Sequence, residues 1–159
     1  MRISVFVGLT VAAVSVAALA GANGHISDEQ IAASVKARQS HMQLYSFHIA
    51  TLGGMAQDKI PYDAAAAMAA ADSLAALTTL SQARYWLPGS DSNAVEGTRA
   101  LPAIWAEGSD IGDKGAAFVD AVLDMQMVAG TDLDALKGAM GPLGGSCGDC
   151  HRSYRLPNN

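Results

Sequence analysis

The sequence predicts an all-α protein whose helices form an up-down-up-down four-helix bundle. Clusters of Gly, Pro, Asn and Asp divide the chain after residue 25 into four segments, and apolar residues recur in each at intervals of three and four. No segment shows the sustained alternation of a strand. Most connections are short, which is typical of antiparallel helix bundles.

The first two helices have clear starts. Ser27 followed by Gln30 fits a capping box, so the first helix is predicted from Ser27 to about Met55. The second is predicted from Asp63 to about Gln82. Its first half is rich in alanine, the strongest helix former.

The last two helices contain glycine. The third is predicted to begin near Pro102, to be interrupted from Gly108 to Gly115, and to resume to Val128, while the fourth runs from Asp132 to about Tyr154. Within the fourth lie Gly141, Gly144 and Gly145. Each costs about 1 kcal/mol relative to alanine. Either the close approach of another backbone or a cofactor, or a local helix break, would account for them.

The N-terminus is predicted to be a secretory signal peptide covering residues 1–22. Arg2 is followed by an apolar run, and small residues predict cleavage near Ala20 or Ala22. The run approaches spanning length, so a membrane anchor is the competing interpretation, but the exit into Gly21 favours cleavage. Residues 25–159 then form one domain of about 135 residues.

The charge of the chain limits its partners. The formal net charge is −5. Nucleic acid and anionic membrane surfaces are therefore not expected to bind the cleaved protein, and a basic redox protein is the more plausible partner.

The two cysteines of the chain lie in Cys147-Gly-Asp-Cys150-His151. Thiols three positions apart on a helix share a face and can add to the two vinyl groups of one porphyrin, while the following imidazole reaches the iron. A redox disulfide or half of a zinc site are the alternatives, and zinc would need two further ligands. The motif predicts one covalently attached haem c.

The wall of the haem pocket must come from upstream helices, because only eight residues follow His151. The apolar stripe of the first helix runs through Ile31, Val35, Arg38, Met42, Tyr45, Ile49 and Leu52. A guanidinium in this stripe is expected to need an anionic partner. A haem propionate fits, whereas pairing with a carboxylate or extension into solvent remain alternatives for Arg38.

Met42 lies one turn beyond Arg38 on the same stripe. Methionine is an axial ligand in c-type cytochromes, but it is also a common core filler. His41 and His48 lie on the flank of the stripe. Either imidazole could ligate iron, although we expect both side chains to be half-exposed.

Taken together, these residues resemble class II c-type cytochromes, the cytochrome c′ and cytochrome c-556 family. The resemblance covers nearly all of the predicted mature chain and rests on Arg38-Gln39 with Met42, Leu52-Gly-Gly-Met-Ala56, Pro61-Tyr-Asp-Ala64, Ile104-Trp105, the haem motif, and Tyr154-Arg155. It implies a left-handed bundle in the periplasm, often a homodimer. It also implies that His151 is the proximal ligand and that Arg38, Gln39 and Arg155 lie near the propionates or the proximal side.

The resemblance makes Met42 the residue that decides the subtype. Members similar to cytochrome c-556 use a methionine there as the sixth ligand, whereas cytochrome c′ members carry an apolar residue and bind gases at five-coordinate iron. Some five-coordinate members nevertheless have methionine. We expect ligation by His151 and Met42 and electron transfer with periplasmic redox partners, with nitric oxide or carbon monoxide binding as the alternative and no enzymatic activity.

Overall fold

The computed structural model describes residues 26–157 and confirms the all-α prediction. Its helices are α1 (Asp28–Ala56), α2 (Ala64–Thr78), α3 (Ile111–Val128) and α4 (Leu133–Tyr154), with a short 3-10 helix (Pro102–Trp105) between α2 and α3. The predicted signal peptide, residues 1–22, lies outside the described residues. None of the helices described is long and apolar enough to span a membrane.

Side-chain caps explain where three of the helices begin. Ser27 Oγ accepts a hydrogen bond from the backbone N–H of Gln30, and Gln30 Oε1 accepts one from the backbone N–H of Ser27, which confirms the capping box. Asp63 and Asp132 each accept from the backbone N–H three residues later, at 2.8 Å. Each such cap stabilises its helix by about 1 kcal/mol.

Two predicted boundaries were wrong. Helix α2 ends at Thr78, before Gln82, because the hydroxyls of Thr78 and Thr79 donate to carbonyl oxygens of the last turn and compete with the helical pattern. Helix α3 begins at Ile111 and includes both Gly112 and Gly115. The apolar face that α3 packs against α4 offsets the cost of these glycines.

Helix α4 is continuous through its glycines, which rules out a local helix break as the explanation for them. Pro142 also lies inside the helix, and both it and the glycines beside it are exposed. A Cβ atom at Gly141, Gly144 or Gly145 would meet no described atom within 4 Å. No other backbone of residues 26–157 therefore approaches these positions.

The helices form an antiparallel bundle in which each packs against the next and α1 packs against α4. The main core takes side chains from all four helices. We call the end of the bundle where α1 ends and α4 begins the apolar end. Leu52, Leu74, Val122, Met125, Leu136 and Leu143 are fully buried. Helices α1 and α4 come close there, because a Cβ on Gly53 would lie 3.5 Å from Met140 Cε.

The opposite end, which we call the cysteine end, is covered by the α2–α3 connection, residues 79–110. This connection is long, unlike the others. Its residue Ala100 forms an isolated antiparallel bridge with Arg155, just after α4. The backbone N–H of Leu101 donates to Tyr154 O at 2.9 Å, and that of Leu156 donates to Arg99 O at 2.9 Å. The connection is thereby attached to the end of α4.

Candidate functional site

Cys147, Cys150 and His151 lie in the last turns of α4, and all three side chains are half-buried. Cys150 packs against a small core of the cysteine end that is separate from the main core. The side chains of this small core are Ala100, Ile104 and Tyr154, with Trp86, Trp105 and Ile111 partly buried against them. The cysteines therefore continue the apolar stripe that Leu136 and Leu143 form on α4.

The surroundings of the two thiols do not favour the redox or zinc alternatives. Burial raises the pKa of both Cys147 and Cys150, so the thiols are protonated at neutral pH, whereas reactive cysteines have lowered pKa values. Both are free of disulfide bonds. Within residues 26–157, no group of three or more His, Cys, Asp or Glu side chains is placed to hold a metal ion.

His151 has the electrostatic surroundings of a neutral ligand. Burial lowers the pKa of its imidazole, and the positive charges of Arg155 and Arg99 lower it further. Neutral imidazole is the form that binds a metal. The side chain is thus kept in its ligating form at neutral pH.

Tyr154, one turn after His151, fixes the end of α4 to the start of α3. Its hydroxyl oxygen accepts hydrogen bonds from the backbone N–H of Asp110 at 2.9 Å and from Ser109 Oγ at 3.1 Å. The phenol also donates to Asp110 Oδ1, which is part of the reason why the pKa of that carboxyl is lowered. The sequence predicts that the fourth helix ends at about Tyr154, but it does not predict this contact.

Met42 is the stripe position of α1 whose side chain stays accessible. Arg38 and Tyr45, one turn on either side, are 5% and 6% exposed, whereas Met42 is 37% exposed. Its side chain is therefore not covered by the neighbouring helices, whereas at the apolar end α1 packs closely on α4 at Gly53. Two half-buried thiols, a neutral imidazole and an accessible methionine side chain fit a haem group.

Arg38 is buried, and its partners are neutral oxygens. Nη1 donates to Tyr85 O at 2.9 Å and to Ser90 Oγ at 3.1 Å, while Nη2 donates to Ser90 O at 2.9 Å and to Thr98 Oγ1 at 2.8 Å. The guanidinium also lies 4.8 Å from the centre of the Trp86 ring. Extension into solvent was therefore wrong, and so was the premise that this charge needs an anion.

These contacts use four of the five N–H donors of the guanidinium, which leaves Nε–H. Burial lowers the pKa of Arg38. The side chain still remains charged, because arginine does not lose its proton in proteins. A propionate contact stays a prediction, and Nε–H is the donor that could make it.

Gln39 and Arg155, the other residues expected near the propionates, also contact the α2–α3 connection. Gln39 Nε2 donates to Gly97 O at 2.9 Å, and Arg155 forms the bridge with Ala100. Both side chains are exposed. All three predicted residues of this group thus lie around the same segment.

The prediction for His41 was wrong, whereas His48 is half-buried as expected. His41 is 4% exposed, because its ring is covered by that of Tyr45 on α1, at 4.5 Å, and by that of Tyr85 in the α2–α3 connection, at 5.5 Å. Burial lowers its pKa, and a hydrogen bond with the backbone of Leu77 raises it less. The flank of the α1 stripe that carries His41 is therefore buried within the bundle and does not face solvent.

Comparison with known proteins agrees with this geometry. The model of the family described as Cytochrome C′ matches residues 33–155. This chain belongs to the cytochrome c′ family. Cytochrome c-554 from Cereibacter sphaeroides is 40% identical over 126 residues, which cover 79% of this chain and 95% of that protein. The family that the sequence resembles, that of cytochrome c′ and cytochrome c-556, is therefore confirmed.

Solved structures agree as well. The structure of cytochrome c′ from Rhodobacter spheriodes superposes with a TM-score of 0.78 at 35% identity, covering 80% of this chain and 98% of that one. Cytochrome c′ from Alcaligenes xylosoxidans has been solved as a nitric oxide complex of one variant, with a TM-score of 0.69, 33% identity, and coverage of 80% and 97%. Another of its variants has been solved with carbon monoxide bound.

The cofactor follows from family and residues together. Proteins of the cytochrome c′ family carry covalent haem c, and Cys147 and Cys150 are the two cysteines of this chain. Both lie on the inner side of α4 near its C-terminus.

Proposed function

We propose that this cytochrome is a periplasmic electron carrier in which His151 and Met42 both ligate the haem iron. The observation that carries the proposal is the accessible side chain of Met42, which lies on the α1 stripe between the buried side chains of Arg38 and Tyr45. A core-filling methionine at this position would be buried like Arg38 and Tyr45. We assign this exposed side chain a ligand role instead.

The residues of the chain divide the work of holding the cofactor. Cys147 and Cys150 hold the porphyrin through thioether bonds, and His151 offers a neutral imidazole. Bound haem supplies one-electron iron chemistry, and methionine ligation raises its reduction potential. Because both side-chain ligands come from rigid helices, little has to move when an electron arrives or leaves. The net charge of −5 favours a basic redox protein as partner.

A second function is the binding of nitric oxide or carbon monoxide at five-coordinate iron. The solved nitric oxide and carbon monoxide complexes of the Alcaligenes xylosoxidans relative favour it. In that case Met42 would be a wall residue beside the gas rather than a ligand, and its exposure would leave room for the gas.

The absorption spectrum of the purified holoprotein, oxidised and reduced, with and without carbon monoxide, distinguishes the two functions. We expect a low-spin spectrum that carbon monoxide does not change, and conversion to high-spin in Met42→Leu. Met127→Leu is the matched control, because that methionine is 73% exposed on α3. A native high-spin spectrum that responds to carbon monoxide would reject methionine ligation and establish the second function.

Export is tested on the same preparation. Intact mass of protein taken from the periplasmic fraction should equal a chain that begins after Ala20 or Ala22 plus one haem. A chain that keeps residues 1–22 would contradict signal cleavage.

A homodimer is part of the proposal and is supported by the outer face of α1. Leu44 and Phe47 are 48% and 68% exposed there, which is unusual for large apolar side chains on one helix face. Light scattering should give twice the monomer mass, and Phe47→Asp should give the monomer. A monomeric native protein would contradict the proposal.

A further inference from the structure

The α2–α3 connection is held at two places, by a side chain of α1 and by the backbone at the end of α4. On one side it is held by Arg38, which lies one turn before Met42 on α1. On the other it is held by the backbone of Tyr154 and Leu156, just beyond His151 on α4. The connection therefore crosses the cysteine end from the helix of one proposed ligand to the helix of the other.

The attachment to Arg38 depends on two buried hydroxyl groups of the connection, those of Ser90 and Thr98. Ser90 is fully buried and Thr98 is 6% exposed, and both hydroxyls point at the guanidinium. Hydrogen bonds from a charged donor are among the stronger ones, and burial keeps water from replacing them. The fork of the guanidinium reaches three separate points of the connection, at Tyr85, Ser90 and Thr98. A lysine ammonium is a single point and cannot span them.

The aromatic contacts extend this attachment. Arg38 lies over the ring of Trp86, and the indole Nε1–H of Trp105 donates to Trp86 O at 3.0 Å. Both indoles pack against the same small core as Cys150. Loosening the connection at Arg38 would therefore loosen the wall beside a haem-attaching cysteine.

We propose that Arg38 is a positioning residue: with Ser90 and Thr98 it clamps the α2–α3 connection across the cysteine end and limits how fast small molecules reach the iron. The clamp works through neutral oxygens of the connection, so its effect does not require a propionate. The inference rests on the proposed function in one respect, that Met42 and His151 face the same cofactor.

The test removes the two hydroxyl acceptors and leaves the charge of Arg38 and its two carbonyl acceptors in place. In Ser90→Ala/Thr98→Val both hydroxyls are lost while Arg38 stays, and Arg38→Lys keeps the charge without the fork. Thr51→Val/Ser73→Ala is the matched control, because those hydroxyls donate to carbonyl oxygens of their own helices, at 3.4 and 2.8 Å. Thr98→Ser, which retains a hydroxyl, should behave like the native residue.

The first readout is amide hydrogen exchange in holoprotein, which does not depend on spin state. We expect exchange over residues 85–98 to become at least about tenfold faster in Ser90→Ala/Thr98→Val and in Arg38→Lys, because each loses hydrogen bonds to a charged group. Protection at Leu52 and Leu136 should remain native, which verifies folding. Unchanged exchange over 85–98 in the double variant would overturn the clamp.

The second readout is the rate of carbon monoxide binding, measured after photolysis in a Met42→Leu background. This background leaves an open iron position under either proposed function, so failure of methionine ligation does not affect the result. We expect the rate of carbon monoxide entry to become about tenfold faster in Ser90→Ala/Thr98→Val and in Arg38→Lys, because opening of the connection limits entry. The rate should be unchanged in the control. Faster exchange with unchanged gas entry would overturn the gating role.

Discussion

The two ends of the bundle are built from different chemistry. At the apolar end the interior consists of aliphatic side chains and alanines from all four helices, and Leu136 and Val122 are fully buried. At the cysteine end the buried groups include Arg38, His41, Ser90 and Thr98, surrounded by aromatic rings. The fully buried side chains of the first end, among the described residues, are apolar, whereas the second end buries several polar side chains.

This difference shows which part of the molecule provides stability and which part provides the site. Burying an aliphatic side chain contributes about 1.5 to 3 kcal/mol without any directional requirement. A buried guanidinium or hydroxyl stabilises only when its partners are in place, and it costs free energy when one is missing. The apolar end can therefore form by pattern alone, and the cysteine end depends on exact positions.

The largest effect should come from removing both thiols. Cys147→Ala/Cys150→Ala should carry no covalent haem, because the two thioether bonds cannot form. Intact mass would show the loss, with Ser153→Ala as the control that keeps the added mass. Hydrogen exchange should then increase at the cysteine end and stay slow at the apolar end. An equal increase at both ends would contradict the division described above.

The next effect concerns the apolar end. Leu136→Ala should lower the free energy of unfolding by about 2 to 5 kcal/mol, because the side chain is fully buried and its removal leaves a cavity. Leu123→Ala, at a leucine that is 44% exposed on α3, should change it by less than about 1 kcal/mol. Urea unfolding of the two holoproteins measures both. Similar losses of unfolding free energy in the two variants would show that Leu136 does not lie in the core.

Glycines at the two ends should respond in opposite directions to alanine. Gly138 is exposed within α4 and a Cβ there would meet nothing within 4 Å, so Gly138→Ala should stabilise by about 0.4 to 1 kcal/mol. Gly89, in the α2–α3 connection, has φ of +81°, and Gly89→Ala should destabilise by about 1 kcal/mol or more. Thermal unfolding compares the midpoint temperatures of the two variants. A shift of both midpoints in the same direction would be evidence against these backbone conformations.

The smallest effect is the acid dependence of the contact between α3 and α4. The pKa of Asp110 is lowered first by the hydrogen bond from Tyr154 and then by Lys114. A lowered folded-state pKa means that the contribution to stability is present above the ordinary aspartate pKa and is lost as the pH falls below about 4. Asp110→Asn and Tyr154→Phe should both make stability fall less steeply in that range. Acid titration followed by circular dichroism measures how steeply stability falls with pH. If both variants lost stability as steeply as the native protein, the contact between Asp110 and Tyr154 would not be the cause.

Much of this architecture could be predicted from sequence because it depends on local patterns. The capping box at Ser27, the stripes of α1 and α4, and the haem motif are all set by spacing along one helix. Prediction from local patterns failed at helix ends, where other hydrogen bonds or packing contacts compete with the helical preference of the sequence. The threonine hydroxyls end α2 early, and packing carries α3 across Gly112 and Gly115.

The partners of buried polar groups could not be predicted, because they come from distant parts of the chain. Arg38 lies in an apolar stripe, and the stripe predicts burial but not that Ser90 and Thr98 will surround the guanidinium. His41 lies on the flank of the same stripe, and only the position of the α2–α3 connection decides that it is buried. The same holds for the contact of Tyr154 with Asp110.

The sequence by itself determined the helices, the apolar core and the cysteines that attach the haem, since periodicity and covalent chemistry act over a few residues. The tertiary structure decided that the side chain of Met42 stays accessible, and it decided which oxygens surround the buried Arg38. Those properties arise when the α2–α3 connection closes over one end of the bundle. Hydrophobic burial is non-directional and can be predicted from composition and spacing, whereas hydrogen bonds require two specific atoms to meet.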